Sequence, residues 1–185
     1  EYDCIVLGGG AAGLCLGAHL ASEGRKDHTC LILERRDAYT DDRTWCFWKD
    51  PDESSWIDNI ISKQWWQWEI SGMGETISHQ ASRRPYCYVR SSDFYRSAVM
   101  RIQQCSNVTL KNGVEVSAAC EVAGGCSVRT DHGDYAARYV IDARPQVARR
   151  TQSHGLLQLF AGREIIFQKP KFDPHRAVLM GNLTA

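Results

Sequence analysis

The first thirty-four residues limit the fold more than any other stretch. Tyr2-Asp3-Cys4-Ile5-Val6-Leu7 is a short apolar run without helical spacing, as expected of a strand buried on both faces. It leads directly into Gly8-Gly9-Gly10-Ala11-Ala12-Gly13, a match to G-x-G-x-x-G. Residues 11–23 carry Leu14, Ala18 and Ala21 at helical spacing, and Gly24 is placed to stop that helix. Cys30-Leu31-Ile32-Leu33 reads as a second buried strand, and Glu34 follows it. The order strand, glycine turn, helix, strand, acid predicts a βαβ unit that binds a dinucleotide.

Each part has a physical task in that reading. Gly8 permits the turn, Gly10 lets backbone approach a pyrophosphate, and Gly13 lets the helix pack on the strand. The helix start at Ala11 and Ala12 offers unpaired N–H groups and a positive dipole end to the phosphates. Glu34 lies twenty-one residues after Gly13, near the spacing of an acid that takes both ribose hydroxyls of an adenosine. A carboxylate there disfavours a 2′-phosphate, so FAD or NAD is expected before NADP. Arg35 and Arg36 soften that exclusion.

Composition narrows the class. The 185 residues suit one ordinary domain, or one with a small insertion. Lys+Arg and Asp+Glu balance at 22 each, so no net charge draws the chain to nucleic acid or an acidic membrane surface. No apolar run approaches the roughly eighteen residues of a membrane span, and the apolar start is too short for a signal peptide. The eight cysteines form no C-x-x-C pair and no zinc-like spacing with histidine. Cys4, Cys15 and Cys30 fall on apolar faces of expected elements. Free, buried thiols in a reducing compartment are therefore expected, and with them a cytoplasmic location. The six histidines are scattered, and none is assigned to metal or catalysis.

Beyond Glu34 the pattern changes. A polar loop, 35–42, precedes the aromatic run Arg43-Thr44-Trp45-Cys46-Phe47-Trp48. Residues 51–55 read as a turn, and 56–61 are short, apolar and ambiguous. In 65–70 the alternation predicts Trp66, Trp68 and Ile70 on one face and Gln67 and Glu69 on the other, with Trp66 and Trp68 in core packing. A turn at Gly72-Met73-Gly74 and a returning strand at 75–78 complete a hairpin, and 86–89 form another strand. Ser91 and Ser92 offer an N-cap to a helix over 93–104 with the stripe Phe94, Ala98, Ile102. Short strands follow at 108–110, 114–117, 119–123 and 126–130. A hairpin turn at 131–134 leads to a return strand over 135–143, ending in a buried-looking Tyr139-Val140-Ile141. After a basic loop at 146–153, strands are expected at 156–160, 164–167 and 177–180. A βαβ start, a long insertion, a helix and an antiparallel meander suit FAD-binding enzymes better than NAD dehydrogenases.

Asp42-Arg43-Thr44-Trp45-Cys46-Phe47-Trp48 resembles the D-R-x-W-x-F-W motif of the lycopene cyclase family. Three further stretches are similar to that family. Val140-Ile141-Asp142-Ala143-Arg144 resembles its return strand, and Gln158-Leu159-Phe160-Ala161-Gly162 its Q-x-F-x-G segment. Phe172-Asp173-Pro174 with Ala177-Val178-Leu179-Met180 resembles its F-D-P…A-x-L-M-D segment. Pro145 and Gly181 depart from the family pattern, which has Gly and Asp there.

The resemblance implies an α/β fold: a Rossmann-like FAD/NAD(P)-binding domain with an inserted antiparallel β-meander and the start of a substrate-binding β-sheet. Within one FAD-binding domain over 1–185 it implies a Rossmann start at 1–34 and a substrate-domain insertion at 43–90. A meander would span 114–138 and a second substrate segment 154–185. It implies cyclisation of the linear ends of lycopene, or a related carotenoid, to β-rings by an acid expected beyond residue 185. The cofactor would be FAD in its reduced form, with electrons from NAD(P)H and no net redox change. Gly8, Gly10, Ala11, Ala12, Gly13, Glu34, Arg35, Arg43 and Val114 are the expected cofactor contacts, Val114 by analogy with the backbone contact to adenine in related flavoproteins. Arg43 could instead pair with Glu34 or lie solvated. Trp45 and Trp48 could wall the polyene and its cation or simply pack in a core. Asp142 is expected to cap the loop after its strand. Contact with a membrane would be peripheral, through Trp56, Trp65, Trp66 or Trp68. Two other readings remain: a flavin-dependent reductase or monooxygenase on an isoprenoid or aromatic substrate, and a nucleotide-binding module without catalysis.

Overall fold

The computed structural model describes residues 1–23, 27–72, 74–145, 165, 167–169 and 172–180. The chain divides into two compact units. The first comprises Glu1–Trp45, Trp56–Ile61 and Val89–Pro145, and the second Cys46–Ser55, Ser62–Tyr88 and Gln146–Ala185.

In the first unit β1 (Tyr2–Leu7) enters the glycine turn, α1 (Ala11–Ser22) follows, and β2 (Cys30–Leu33) lies parallel to β1, with Cys4 opposite Cys30 and Leu7 opposite Leu33. All four residues of β2 are buried. The apolar runs are continuous because this sheet is covered on both faces. After β2 the chain forms β3 (Thr44–Trp48), a 3₁₀ turn (Trp56–Ile60), β4 (Lys63–Trp65), β5 (Gln67–Gly72), β6 (Glu75–Gln80) and β7 (Tyr86–Arg90). It then returns as α2 (Ser91–Gln103) and β8 (Val108–Lys111), which pairs parallel with β2. The second βαβ crossover thus carries its insertion between strand and helix.

The meander is β9 (Val116–Val122), β10 (Gly125–Thr130) and β11 (Gly133–Asp142). Where two short strands were expected before Gly124, one runs through: Ala118 to Val122 pair with Arg129 to Gly125 of β10, and Val116 pairs with Thr130 past an irregularity at Ser117. β11 has two roles: antiparallel to β10, it is parallel to β1, with Ile5 opposite Val140. The sheet order is β8-β2-β1-β11-β10-β9. Its parallel part has the order of a doubly wound nucleotide-binding sheet.

Alternate side chains of β1 and β2 divide the core. Ile5, Leu7, Leu31 and Leu33 pack with Val114, Val128 and Ala137 against the meander. On the other face α1 and α2 pack together, and Gly17 lies so close to Ile32 and Ile102 that no side chain separates them. Leu14, Ala18, Phe94, Ala98 and Ile102, the expected helical stripes, are all buried. Leu31 is wholly buried. Leu31→Ala is expected to lower stability by about 2–5 kcal/mol, read as a lower denaturant midpoint with an unchanged slope.

Several local expectations change. α2 starts at Ser91, two residues before the expected start, and its cap comes from elsewhere. The Asp41 carboxylate accepts the Ser92 N–H at 3.2 Å and the buried Ser91 hydroxyl at 2.9 Å. Tyr139 and Ile141 are 64% and 43% exposed rather than buried, because they point from β11 to the helix side of the sheet, where α1 covers β1 and β2. Cys46 and Cys120 are exposed, though all eight thiols are free. No helix among the described residues is long and apolar enough to cross a membrane.

In the second unit β12 (Arg176–Met180) lies parallel to β5, and β5 antiparallel to β6; β3, β7 and β4 form another sheet. The expected alternation through Trp66 fails. β4 pairs with β7 and β5 with β6 and β12, so the chain changes sheets at Trp66, which is 43% exposed while Trp68 stays half-buried. The helix stop at Gly24, the turn residue Met73, the loop at 146–153, the strand at 156–160, the Q-x-F-x-G segment and position 181 lie outside the described residues. So do residues 164 and 166 of the expected strand at 164–167.

Candidate functional site

The glycine turn leaves β1 with Gly8 at φ +98°, and Gly10 stands before α1 at φ −77°. Two of its glycines meet different demands. A Cβ on Gly13 would land on the Gly8 carbonyl oxygen and come within 3.3 Å of the Val6 side chain, so the packing of α1 on β1 requires its absence. A Cβ on Gly10 would meet nothing within 4 Å. The protein's own packing does not demand glycine there, which leaves a cradle at the start of α1 that a side chain would fill. Ala11 and Ala12 open the helix at this cradle, where unpaired N–H groups suit a pyrophosphate.

Glu34 follows β2 directly and lies inside the protein, with its side chain only 7% exposed. One oxygen, Oε2, accepts the Gly9 N–H at 2.7 Å. The other, Oε1, accepts the Arg36 N–H at 3.0 Å and its Nε–H at 3.1 Å. Burial pushes this carboxyl up, but the Arg36 side chain, its backbone N–H and the Gly9 N–H outweigh it and hold the group below the ordinary carboxylate range. The acid is thus a fixed anion beside the glycine cradle. A pyrophosphate cradle and a buried anion at the end of the second strand together fit the phosphate and ribose of a dinucleotide.

Arg36 connects this anion to the next motif. Its Nη1 donates to the Tyr95 hydroxyl at 3.1 Å and to Asp42 Oδ2 at 3.3 Å, and its Nη2 to the Gly9 carbonyl at 3.3 Å. The Tyr95 hydroxyl in turn donates to Asp42 Oδ1 at 3.1 Å. Tyr39 donates to the Gly9 carbonyl at 2.9 Å and stacks on Tyr95, ring centroids 4.4 Å apart. Partial burial opposes the Arg36 charge, and Glu34 and Tyr95 overcome it. Burial, then the Glu34 charge, pushes the Tyr39 phenol up.

The structure gathers Gly8, Gly10, Ala11, Ala12, Gly13 and Glu34 at one end of the parallel strands. Val114 joins them through its backbone: its N–H donates to the Glu34 carbonyl at 3.0 Å, and its side chain is buried in the core. Arg35 is exposed. Arg43 lies largely in solvent, its Nε 3.7 Å from Asp42, while its backbone N–H donates to Ser91 Oγ at 3.0 Å. Trp45 sets its edge on Phe94 at 4.7 Å and on Tyr95 at 5.4 Å, so within the first unit it packs with α2. Trp48, 53% exposed, lies in the second unit with its ring 4.9 Å from Tyr86. Asp142 caps its loop, accepting the Arg144 N–H at 3.1 Å and holding that guanidinium with both oxygens. No group of three or more His, Cys, Asp or Glu among the described residues could hold a metal.

Arg36, Tyr39 and Tyr95 were missed as site residues. The sequence signal was present only in part: Arg36 comes two residues after Glu34, and so returns to the side from which Glu34 projects, but nothing local shows Tyr95 coming to meet it.

A family model described as lycopene cyclase protein matches residues 3–183. The chain belongs to the lycopene cyclase family. No curated protein matches the sequence. Among solved structures, p-nitrophenol 4-monooxygenase PnpA from Pseudomonas putida DLL-E4 is similar at TM-score 0.61 and 15% identity, over 76% of this chain and 40% of that one. The halogenase PltM in complex with phloroglucinol and FAD is similar at TM-score 0.56 and 17% identity, over 79% and 35%. The Diels-Alderase PyrE3 gives TM-score 0.58 and 17% identity over 77% and 32%. Such identities show the fold, a Rossmann-like FAD-binding domain. The chain spans well under two thirds of the length of these structures.

Proposed function

We propose that this member of the lycopene cyclase family binds FAD at the Gly8–Gly13 turn and Glu34 and serves acid-catalysed cyclisation of the linear ends of lycopene, or a related carotenoid, to β-rings. The observation that carries the reading is the family match across residues 3–183. Gly10 leaves the pyrophosphate its space, Ala11 and Ala12 begin the helix that faces it, and Glu34 accepts the ribose hydroxyls. Bound flavin, in its reduced form with electrons from NAD(P)H, would supply negative charge that stabilises a carbocation. Trp48 is offered as an aromatic face toward polyene or cation; Trp45 would act by holding the start of β3 against α2. Arg43 and Arg35, both exposed, remain candidates for the phosphates.

The reading extends to a cytoplasmic protein that touches the membrane peripherally, because a water-insoluble polyene must be taken from lipid. Eight free thiols support the reducing compartment, and exposed Trp48 and Trp66 of the second unit support the contact.

Absorbance titration of the purified protein with FAD, followed by product analysis on lycopene, tests the proposal. Shifted flavin bands and a ring-containing product of unchanged mass are expected. A product heavier by oxygen would replace the reading with a monooxygenase, and tighter binding of NAD than of FAD would overturn the cofactor.

A further inference from the structure

We propose that Arg36 is the positioning residue of the nucleotide site, its guanidinium tying Glu34 to Asp42 and Tyr95 and so holding the Glu34 carboxylate ready for the two hydroxyls of a ribose. This rests on the reading of Gly8–Gly13 and Glu34 as a nucleotide site. The geometry is a fork with every tine occupied: Glu34 on Nε, Tyr95 and Asp42 on Nη1, and the Gly9 carbonyl on Nη2. The guanidinium also lies over the Tyr39 and Tyr95 rings, 4.9 Å and 5.3 Å from their centroids. One side chain thus joins the acid at the end of β2, the carbonyl of the glycine turn, the head of α2 and the start of the D-R-x-W-x-F-W run.

A ribose diol donates two hydrogen bonds, so its partner must stay an acceptor on both oxygens. Glu34 is buried, and a buried carboxylate without a cation takes up a proton and becomes a donor. Among the described residues, Lys111, Arg144, Arg43 and Arg35 are engaged away from Glu34 or lie in solvent. On β8 the Lys111 backbone carbonyl receives the Glu34 N–H, but the Lys111 ammonium engages Tyr135 at 3.3 Å. Past β11, Arg144 is held by Asp142, and Arg35 points to solvent. Asp42, Tyr39 and Tyr95 also face Arg36, and none of them is a cation.

The test is FAD affinity, followed by flavin fluorescence from pH 5.5 to 8, in the parent, Arg36→Met, Arg36→Gln and Arg36→Lys, with folding checked by circular dichroism. The parent curve should be flat, since Glu34 stays ionised throughout. In Arg36→Met the binding should be on the order of ten-fold weaker at pH 8. It should fall by about ten-fold per pH unit below the raised pKa of the uncompensated acid. Arg36→Gln, which keeps a hydrogen-bond donor without charge, should behave the same way and serves if Arg36→Met does not fold. Arg36→Lys should restore the flat profile. A folded Arg36→Met or Arg36→Gln variant with the parent's affinity and a flat profile would overturn the role of Arg36 while leaving the site itself standing. A parent that binds no FAD would overturn the reading of the site, and this inference with it.

Discussion

Gly10→Val is expected to abolish detectable FAD binding while leaving the fold intact, and Gly13→Val to do the reverse in order of cause, unfolding the protein first. The two glycines sit three residues apart in one turn, and their surroundings are opposite. The space beside Gly10 is open for 4 Å, and its φ of −77° and ψ of −167° suit a β-branched residue. Stability should therefore change by no more than about 1 kcal/mol, as expected for an uncapped helix start. The added methyl groups would occupy the space a pyrophosphate needs. At Gly13 the added atom meets the Gly8 carbonyl, which is backbone and cannot swing away. Relief requires α1 to move off β1, with loss of the Leu14 and Ala18 packing. Thermal melting and FAD titration of both variants separate the two effects. An unfolded Gly10→Val would show that the cradle serves packing and not a ligand.

Glu34→Leu is expected to be the second large change. It removes both ribose acceptors, so nucleotide binding should be lost. It also leaves the Gly9 N–H without its buried acceptor and takes from Arg36 its closest anion. Asp42 and Tyr95 remain to Arg36, so the stability cost should be about 2–3 kcal/mol, below that of a fully stranded charge. The pH dependence has a definite sign. The folded Glu34 carboxyl lies below its ordinary value of 4.5. Its contribution is present in full above that value and fades as pH falls through the lowered one. Urea unfolding of parent and variant should differ most near neutral pH and converge below about pH 4.5. A difference that stays constant into acid would mean that Glu34 contributes by packing and not by charge.

The parts of the site that are legible in the sequence are those built from neighbours along the chain. Gly8 to Gly13, the helix they start and the acid at the end of the next strand follow from local geometry: a strand alternates sides, a helix must begin with free N–H groups, and a tight turn excludes side chains. The choice among Arg35, Arg36 and Arg43 was legible only in part. Arg35 and Arg36 carry the same charge, and only the path of the chain after Leu33 turns the second toward Glu34. Asp41 looks like one more residue of a polar loop, yet it caps a helix that begins fifty residues later. Trp66 fits an alternating strand until the chain changes sheets beneath it. Tyr139 looks buried by composition, but exposure depends on what covers β11.

By itself the sequence determined that a βαβ unit with a dinucleotide turn begins this chain, that a meander follows, and which family's motifs it carries. These depend on residue order over a few turns of backbone. Tertiary structure alone decided which strands are neighbours, which arginine meets the buried acid, and which tyrosines surround it. Those contacts join residues far apart in the chain, such as Arg36 with Tyr95, and burial and charge act on whatever folding brings within a few ångströms.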